Sequence, residues 1–311
     1  MRQILSTSIA EASSKELLMP QRTQDVVQKD FESTLKSLSY SKDRGTVFSD
    51  WLEMAAITLR QLPFNAGQLS KDNSYQEFEN KYLEVAGRYN REELNGFAKL
   101  TALTVEGIKT HPCDFLGDIC SSLELTNEDA GQFFTPFTIS TTAAKMTVGD
   151  VRQQVEDKGI ITISDPASGA GGMLIAAAYE VAHQKIDPRS HVQFHAADVS
   201  RNCFNMTYLQ LSLMDLQAVV QHCNTLSMEI WETRKTPQMM LFEDWLEKAR
   251  ASDRTTQMVE KMREFLAQLE QPKEADSEST VEENQQQPIQ ADVVFEPEQL
   301  SLFDSDRYQQ E

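Results

Sequence analysis

The octapeptide DPASGAGG (165–172) restricts what this chain can fold into more than any other feature. It stands between a β-branched run, GIITIS (159–164), and a stretch of good helix formers, GGMLIAAAYEVAHQK (171–185). A glycine-rich loop takes its meaning from that strand-loop-helix context. Gly169 and Gly171 let the backbone turn tightly and approach a ligand without a Cβ in the way. The helix that opens at Gly171 or Gly172 presents unpaired N–H groups to an anionic group such as a carboxylate.

The residues after the loop extend the pattern. HVQFHAADV (191–199) reads as a second strand, Arg201–Leu216 as a helix and LQAVVQHC (216–223) as a third strand. Strands alternating with helices predict a parallel sheet with right-handed crossovers. GIITIS is read as a buried strand of such a sheet. Asp165, at the end of the first strand, can hold a cationic amino group, and Asp198, at the end of the second, suits the two hydroxyls of a ribose. The topology brings the loop and both acids to one crevice. The competing reading of the glycines is a strand-to-helix turn that binds nothing.

The residues before the loop read differently. Residues 1–45 are polar, an arm with one helix near residues 24–38. From Val47 the apolar positions Trp51, Met54, Ala55, Leu59 and Leu62 keep helical spacing until Pro63. Tyr75–Val85 and Leu94–Ile108 repeat it, and Asp114 is placed to cap a further helix ending near Leu125. Residues 46–130 thus predict a helical domain, 131–270 the α/β domain with helices after its third strand, and 271–311 a tail. The run KEADSESTVEENQQQPIQ holds almost no large apolar residue and is expected to be disordered.

Net charge is −19, awkward for a protein meant to touch DNA phosphates. Eleven acids against Lys273 and Arg307 fall after residue 270, so about half the excess belongs to the tail. Any DNA surface must be a local basic patch or be shared with a partner. Cys113, Cys120, Cys203 and Cys223 lack metal-ligand spacing, which argues against a zinc site or a disulfide framework and fits a reducing cytoplasm. No apolar run is long enough to span a bilayer, so no membrane association is expected.

One further segment sharpens the reading. GQFFTP (131–136) precedes the glycine loop by some thirty residues. GQFFTP, then DPASGAGG, then an acid-ended strand resembles the adenine-N6 DNA methyltransferases of the type I restriction-modification subunit kind. DFLGDICSSLEL (114–125) and HCNTL (222–226) are similar to flanking elements of that family, so the likeness covers roughly residues 110–230. It implies an α/β, Rossmann-like methyltransferase fold binding S-adenosylmethionine, with DNA as substrate and a methylase or specificity subunit as partner. By this resemblance Thr135 and Pro136 line the methionine end of the ligand. Asp165, Ala167, Gly169 and Gly171 contact its amino acid moiety, Asp198 holds the ribose and Asn224 sits near the adenine. Asn224 reads equally well as a turn residue, and Phe133 and Phe134 as core or pocket wall.

The family also uses an Asn/Asp-Pro-Pro-Tyr/Phe loop after its fourth strand. A flipped adenine needs acceptors for its exocyclic amine and an aromatic face to stack on. This sequence has no Pro-Pro pair. ADVVF (291–295) followed by EPEQ (296–299) stands nearest and lacks the Asn, the second proline and the aromatic. The expectation is a truncated sheet, a cofactor pocket and unknown catalytic residues. Whether the chain is an active methyltransferase or a silent subunit binding cofactor and DNA stays open. In the tail, QLSLF (Gln299, Leu300, Ser301, Leu302, Phe303) resembles the peptide by which bacterial replication and repair proteins hold the sliding clamp. Leucines and a phenylalanine on a polar tether suit an apolar pocket on such a partner. The alternative is a segment folding back on the body.

Overall fold

The computed structural model describes residues 22–40, 42–110, 112–125 and 133–270, with side chains to residue 263. The tail and its QLSLF segment lie outside the described residues, as do Gly131 and Gln132. Among the described residues, six helices precede the α/β part: α1 (Gln24–Leu38), α2 (Arg44–Arg60), α3 (Leu62–Asn65), α4 (Asn73–Ala86), α5 (Arg91–Thr110) and α6 (Phe115–Ser122). Then come α7 (Phe137–Thr147), α8 (Val151–Lys158), β1 (Ile161–Asp165), α9 (Gly172–His183), α10 (Pro188–His191), β2 (Val192–Asp198), α11 (Arg201–Leu213), β3 (Gln217–Asn224), β4 (Glu229–Lys235) and α12 (Pro237–Glu270). Residues 22–256 fall in one compact unit; from residue 257 the end of α12 belongs to a second.

Local chemistry explains the starts of these helices. Asp43, Asp72, Asp114, Asp150 and Asp187 each accept a backbone N–H at the N-cap of α2, α4, α6, α8 and α10. A carboxylate there meets an orphan donor and the positive end of the helix dipole, so several acids of this acidic chain are used structurally. Pro63 does not end α2, which stops at Arg60; it occupies the first turn of α3, where a proline costs no hydrogen bond. The polar segment before residue 45 contributes α1, whose Val27, Phe31 and Leu35 are fully buried. Phe31 meets Trp51 and Phe115 edge-on at centroid distances of 5.2 and 5.9 Å.

The sheet runs β1-β2-β3-β4. The first two pairings are parallel and the last is antiparallel, with an irregularity between His222 and Cys223. β4 was not expected from the sequence, where the residues after HCNTL suggested no strand. Its sequence, EIWETRK, is charged and largely exposed, as an edge strand tolerates. β1 also differs from expectation. Thr162 and Ser164 are exposed, so it is buried on one face only. Val192, Phe194, Ala196, Ala218 and Val220 carry that buried face across to β3.

α11 lies at the centre. Every residue from Cys203 to Ser212 is buried. One side packs on β2 and β3, the other on α2, α5 and α6. The helical layer and the sheet therefore share one apolar core, running from Val27 to Val220.

Candidate ligand site at the strand ends

The glycine loop leaves β1 at Asp165 and is fixed by backbone and side-chain bonds. Ala167 N donates to Asp165 Oδ1 at 3.1 Å, and Ser168 N to the Ala197 carbonyl at 2.9 Å. Gly171 N donates to the Ser168 carbonyl at 2.7 Å. Gly169 has φ +55° and Gly171 φ +98°, both left-handed. Beneath the loop, Thr207 Oγ1 donates to the Gly169 carbonyl at 2.9 Å, and Gln210 Nε2 to the Ala170 carbonyl at 2.7 Å. The polar residues of α11 thus satisfy carbonyls that the tight turn would otherwise leave unpaired.

Alanine at Gly171 is expected to lower unfolding free energy by about 1–2 kcal/mol, because a Cβ disfavours the left-handed region. A Cβ there would also press on Thr207 at 3.3 Å. Urea denaturation of Gly171→Ala beside wild type measures the loss.

Asp198 ends β2 and braces the loop from the side. Its Oδ2 accepts Gly169 N at 2.8 Å and its Oδ1 accepts Ser200 N at 2.8 Å. Burial pushes the Asp198 carboxyl above its ordinary value, helped by the charge of Asp165 and opposed by those two amides. Each oxygen keeps capacity for another donor. Asp198 is half-buried, while Val199 beside it is exposed.

Thr135 and Pro136 are exposed and lead into α7, with Pro136 at its N-cap. Phe134 precedes them in sequence and lies against the loop. A Cβ on Gly169 would touch its ring at 3.3 Å, so the segment 133–136 lies against the glycine loop. Asn224 ends β3. Its Oδ1 accepts the amides of Leu226 and Ser227 at 3.0 and 3.2 Å, which makes it the organiser of the β3–β4 turn. Asp165, Ala167, Gly169, Gly171 and Asp198 therefore meet at the strand ends. Asn224 closes a neighbouring turn.

Sequence reasoning passed over the rim. His222 Nε2 lies 3.2 Å from the Val199 carbonyl, and its ring is 4.8 Å from that of Trp231. Val199, Trp231 and Ile230 are exposed. Pairing of His222 with Asp198 across β2 and β3 puts this apolar rim beside the acid. Trp231 belongs to β4, and its place beside His222 comes from the pairing of that strand with β3.

A model of the N-6 DNA methylase family matches residues 116–287, more than half of the chain. The chain belongs to the N-6 DNA methylase family. A solved type I restriction-modification methyltransferase subunit from Streptococcus thermophilus is also similar, at 13% identity and a TM-score of 0.36 over 66% of this chain. This methylase-family chain spans 59% of the length of that subunit. No curated protein matches. No helix among the described residues is long and apolar enough to cross a membrane.

Proposed function

We propose that this methylase-family chain binds S-adenosylmethionine in a Rossmann-like crevice and acts with DNA as a cofactor-holding module. The observation that carries the reading is the donor set around the loop. A half-buried carboxylate at Asp165, N–H groups without a side-chain cap at the start of α9 and a second carboxylate at Asp198 meet at the strand ends. Those groups suit, in turn, the ammonium, the carboxylate and the ribose hydroxyls of the cofactor. Val199 offers an exposed apolar surface next to the ribose position, suited to a purine ring. Thr135 and Pro136 would line the methionine end. When bound, the cofactor would supply an electrophilic methyl group.

Methyl transfer by the chain alone has less support. No Pro-Pro pair occurs in the sequence. A flipped adenine requires acceptors and a stacking face, and a partner subunit is one source of them. Calorimetry with S-adenosylmethionine tests the binding. Asp165→Ala is expected to weaken it by about tenfold or more, as loss of a charge-assisted hydrogen bond does. No heat of binding by wild type would overturn the proposal. Transfer of tritiated methyl groups to DNA, with and without a methylase or specificity subunit, separates an active enzyme from a silent one.

The tail supports a second, independent proposal: recruitment to the replication sliding clamp through Gln299, Leu300, Leu302 and Phe303. Clamp capture by the full chain is expected to vanish in the double variant Leu302→Ala, Phe303→Ala; equal capture would reject it.

A further inference from the structure

Against the glycine loop and the start of α9 lies a carboxyl group that the cofactor reading does not use. Asp114 is buried and caps α6. Its Oδ1 takes two hydrogen bonds, from Gly117 N at 3.0 Å and from Gln210 Nε2 at 2.7 Å. The same Gln210 nitrogen donates to the Ala170 carbonyl in the loop, and Gln210 Oε1 accepts Leu116 N at 3.2 Å. Asp114 Oδ2 faces the first residue of α9: a Cβ on Gly172 would sit 2.8 Å from it. One side chain thus touches the helix start directly and the loop through one intermediate.

We propose that Asp114 is a positioning residue for the ligand site, setting the glycine loop and the start of α9 through Gln210 and its close approach to Gly172, in a way that depends on whether its carboxyl carries a proton. The hydrogen bonds from Gly117 and Gln210 both fall on Oδ1, which leaves Oδ2 able to carry a proton. Burial pushes this carboxyl up to about 6, with the hydrogen bonds from Gln210 and Gly117 opposing and the nearby Asp118 charge assisting. The other titratable neighbours, Cys113 and Cys120, have thiols raised by burial and stay neutral across this range. Gln210, from α11, and Gly172, from α9, bring no charge.

If the crevice holds the cofactor, the charge on Asp114 also bears on affinity. An ionised Asp114 against the start of α9 opposes the positive helix end that would receive the ligand carboxylate. Affinity is expected to fall about fivefold as pH rises from 5.5 to 7.5, on the order of a screened like-charge interaction.

The test begins without ligand. The full chain is labelled with ¹⁵N-glycine and its amides are followed from pH 4.5 to 8. The amides of Gly171 and Gly172 are expected to titrate together near pH 6 in wild type and to be flat in Asp114→Asn, which keeps the cap and the acceptor. The Gly169 amide, bonded to Asp198 and outside this network, should behave alike in wild type and variant and so reports a folded protein. Unchanged titration of Gly171 and Gly172 in Asp114→Asn, or no titration in wild type, overturns the proposal. Calorimetry with S-adenosylmethionine over the same range should then show pH dependence in wild type and not in the variant. If neither protein binds, the cofactor reading fails while the amide titration still decides the role of Asp114.

Discussion

Glu53→Ala is expected to cost about 3–5 kcal/mol of unfolding free energy, because it removes one partner from a buried set of charges. Glu53 on α2 accepts Arg201 Nε and Nη2 at 2.9 and 2.7 Å, Asn205 Nδ2 at 2.9 Å and Arg234 Nη2 at 3.2 Å. The Arg234 side chain is wholly enclosed, and Glu232 completes its shell at 2.6 Å. Its guanidinium also stacks near Phe204 and Tyr208 at 4.8 and 5.2 Å. Burial works to raise the Glu232 carboxyl, but Arg234 and Arg201 outweigh it and hold the group at about 2. Burial likewise works to raise Glu53, and Arg201 and Arg234 keep it below its ordinary value. Taking Glu53 away leaves an enclosed Arg234 with one carboxylate for two guanidinia. Urea titration at neutral pH measures the effect; a loss below about 1 kcal/mol would mean the set behaves like an exposed pair.

The second large effect runs with pH. The Asp114 carboxyl goes from an ordinary 3.8 in the unfolded chain to about 6 in the folded one. A raised acid favours the fold only while protonated. Its contribution is full below pH 3.8 and is lost as pH climbs through about 6. The gap corresponds to about 3 kcal/mol by neutral pH. Asp114→Asn is therefore expected to match wild type near pH 4 and to exceed it by up to about 3 kcal/mol at pH 7.5. Urea curves at three pH values decide it. A stability difference that stays constant with pH would show that the carboxyl does not titrate in this window.

Both effects involve contacts that the sequence could not reveal. Glu53 meets Arg201 and Arg234 across 148 and 181 positions of chain, and no local spacing encodes that. Asp114 was legible as a helix cap, since an acid before an apolar helical run is a local signal, but its approach to Gly172 is a product of packing. The first three strands, α9 and α11 were legible because a β-branched run, a glycine turn and an apolar helix succeed one another in short range. The loop and Asp198 meet because the parallel pairing of β1 and β2 brings both strand ends to one edge of the sheet. β4 was missed because EIWETRK alternates charge with a few exposed apolar residues and gains its order from β3 and the Arg234 contacts. The one-sided burial of β1 was missed because ITIS is equally at home in a sheet covered on both faces.

The central burial of α11 bears on how the polypeptide comes into being. Synthesis delivers α1 to α6 well before Phe204, Tyr208 and Leu211 leave the ribosome, so their inner surface waits without its counterpart. A nascent chain in that condition exposes an apolar face that invites chaperones or wrong partners. The layer also cannot be swapped or shed by recombination near residue 130 unless α11 changes with it, because both sides of one helix would have to evolve in step.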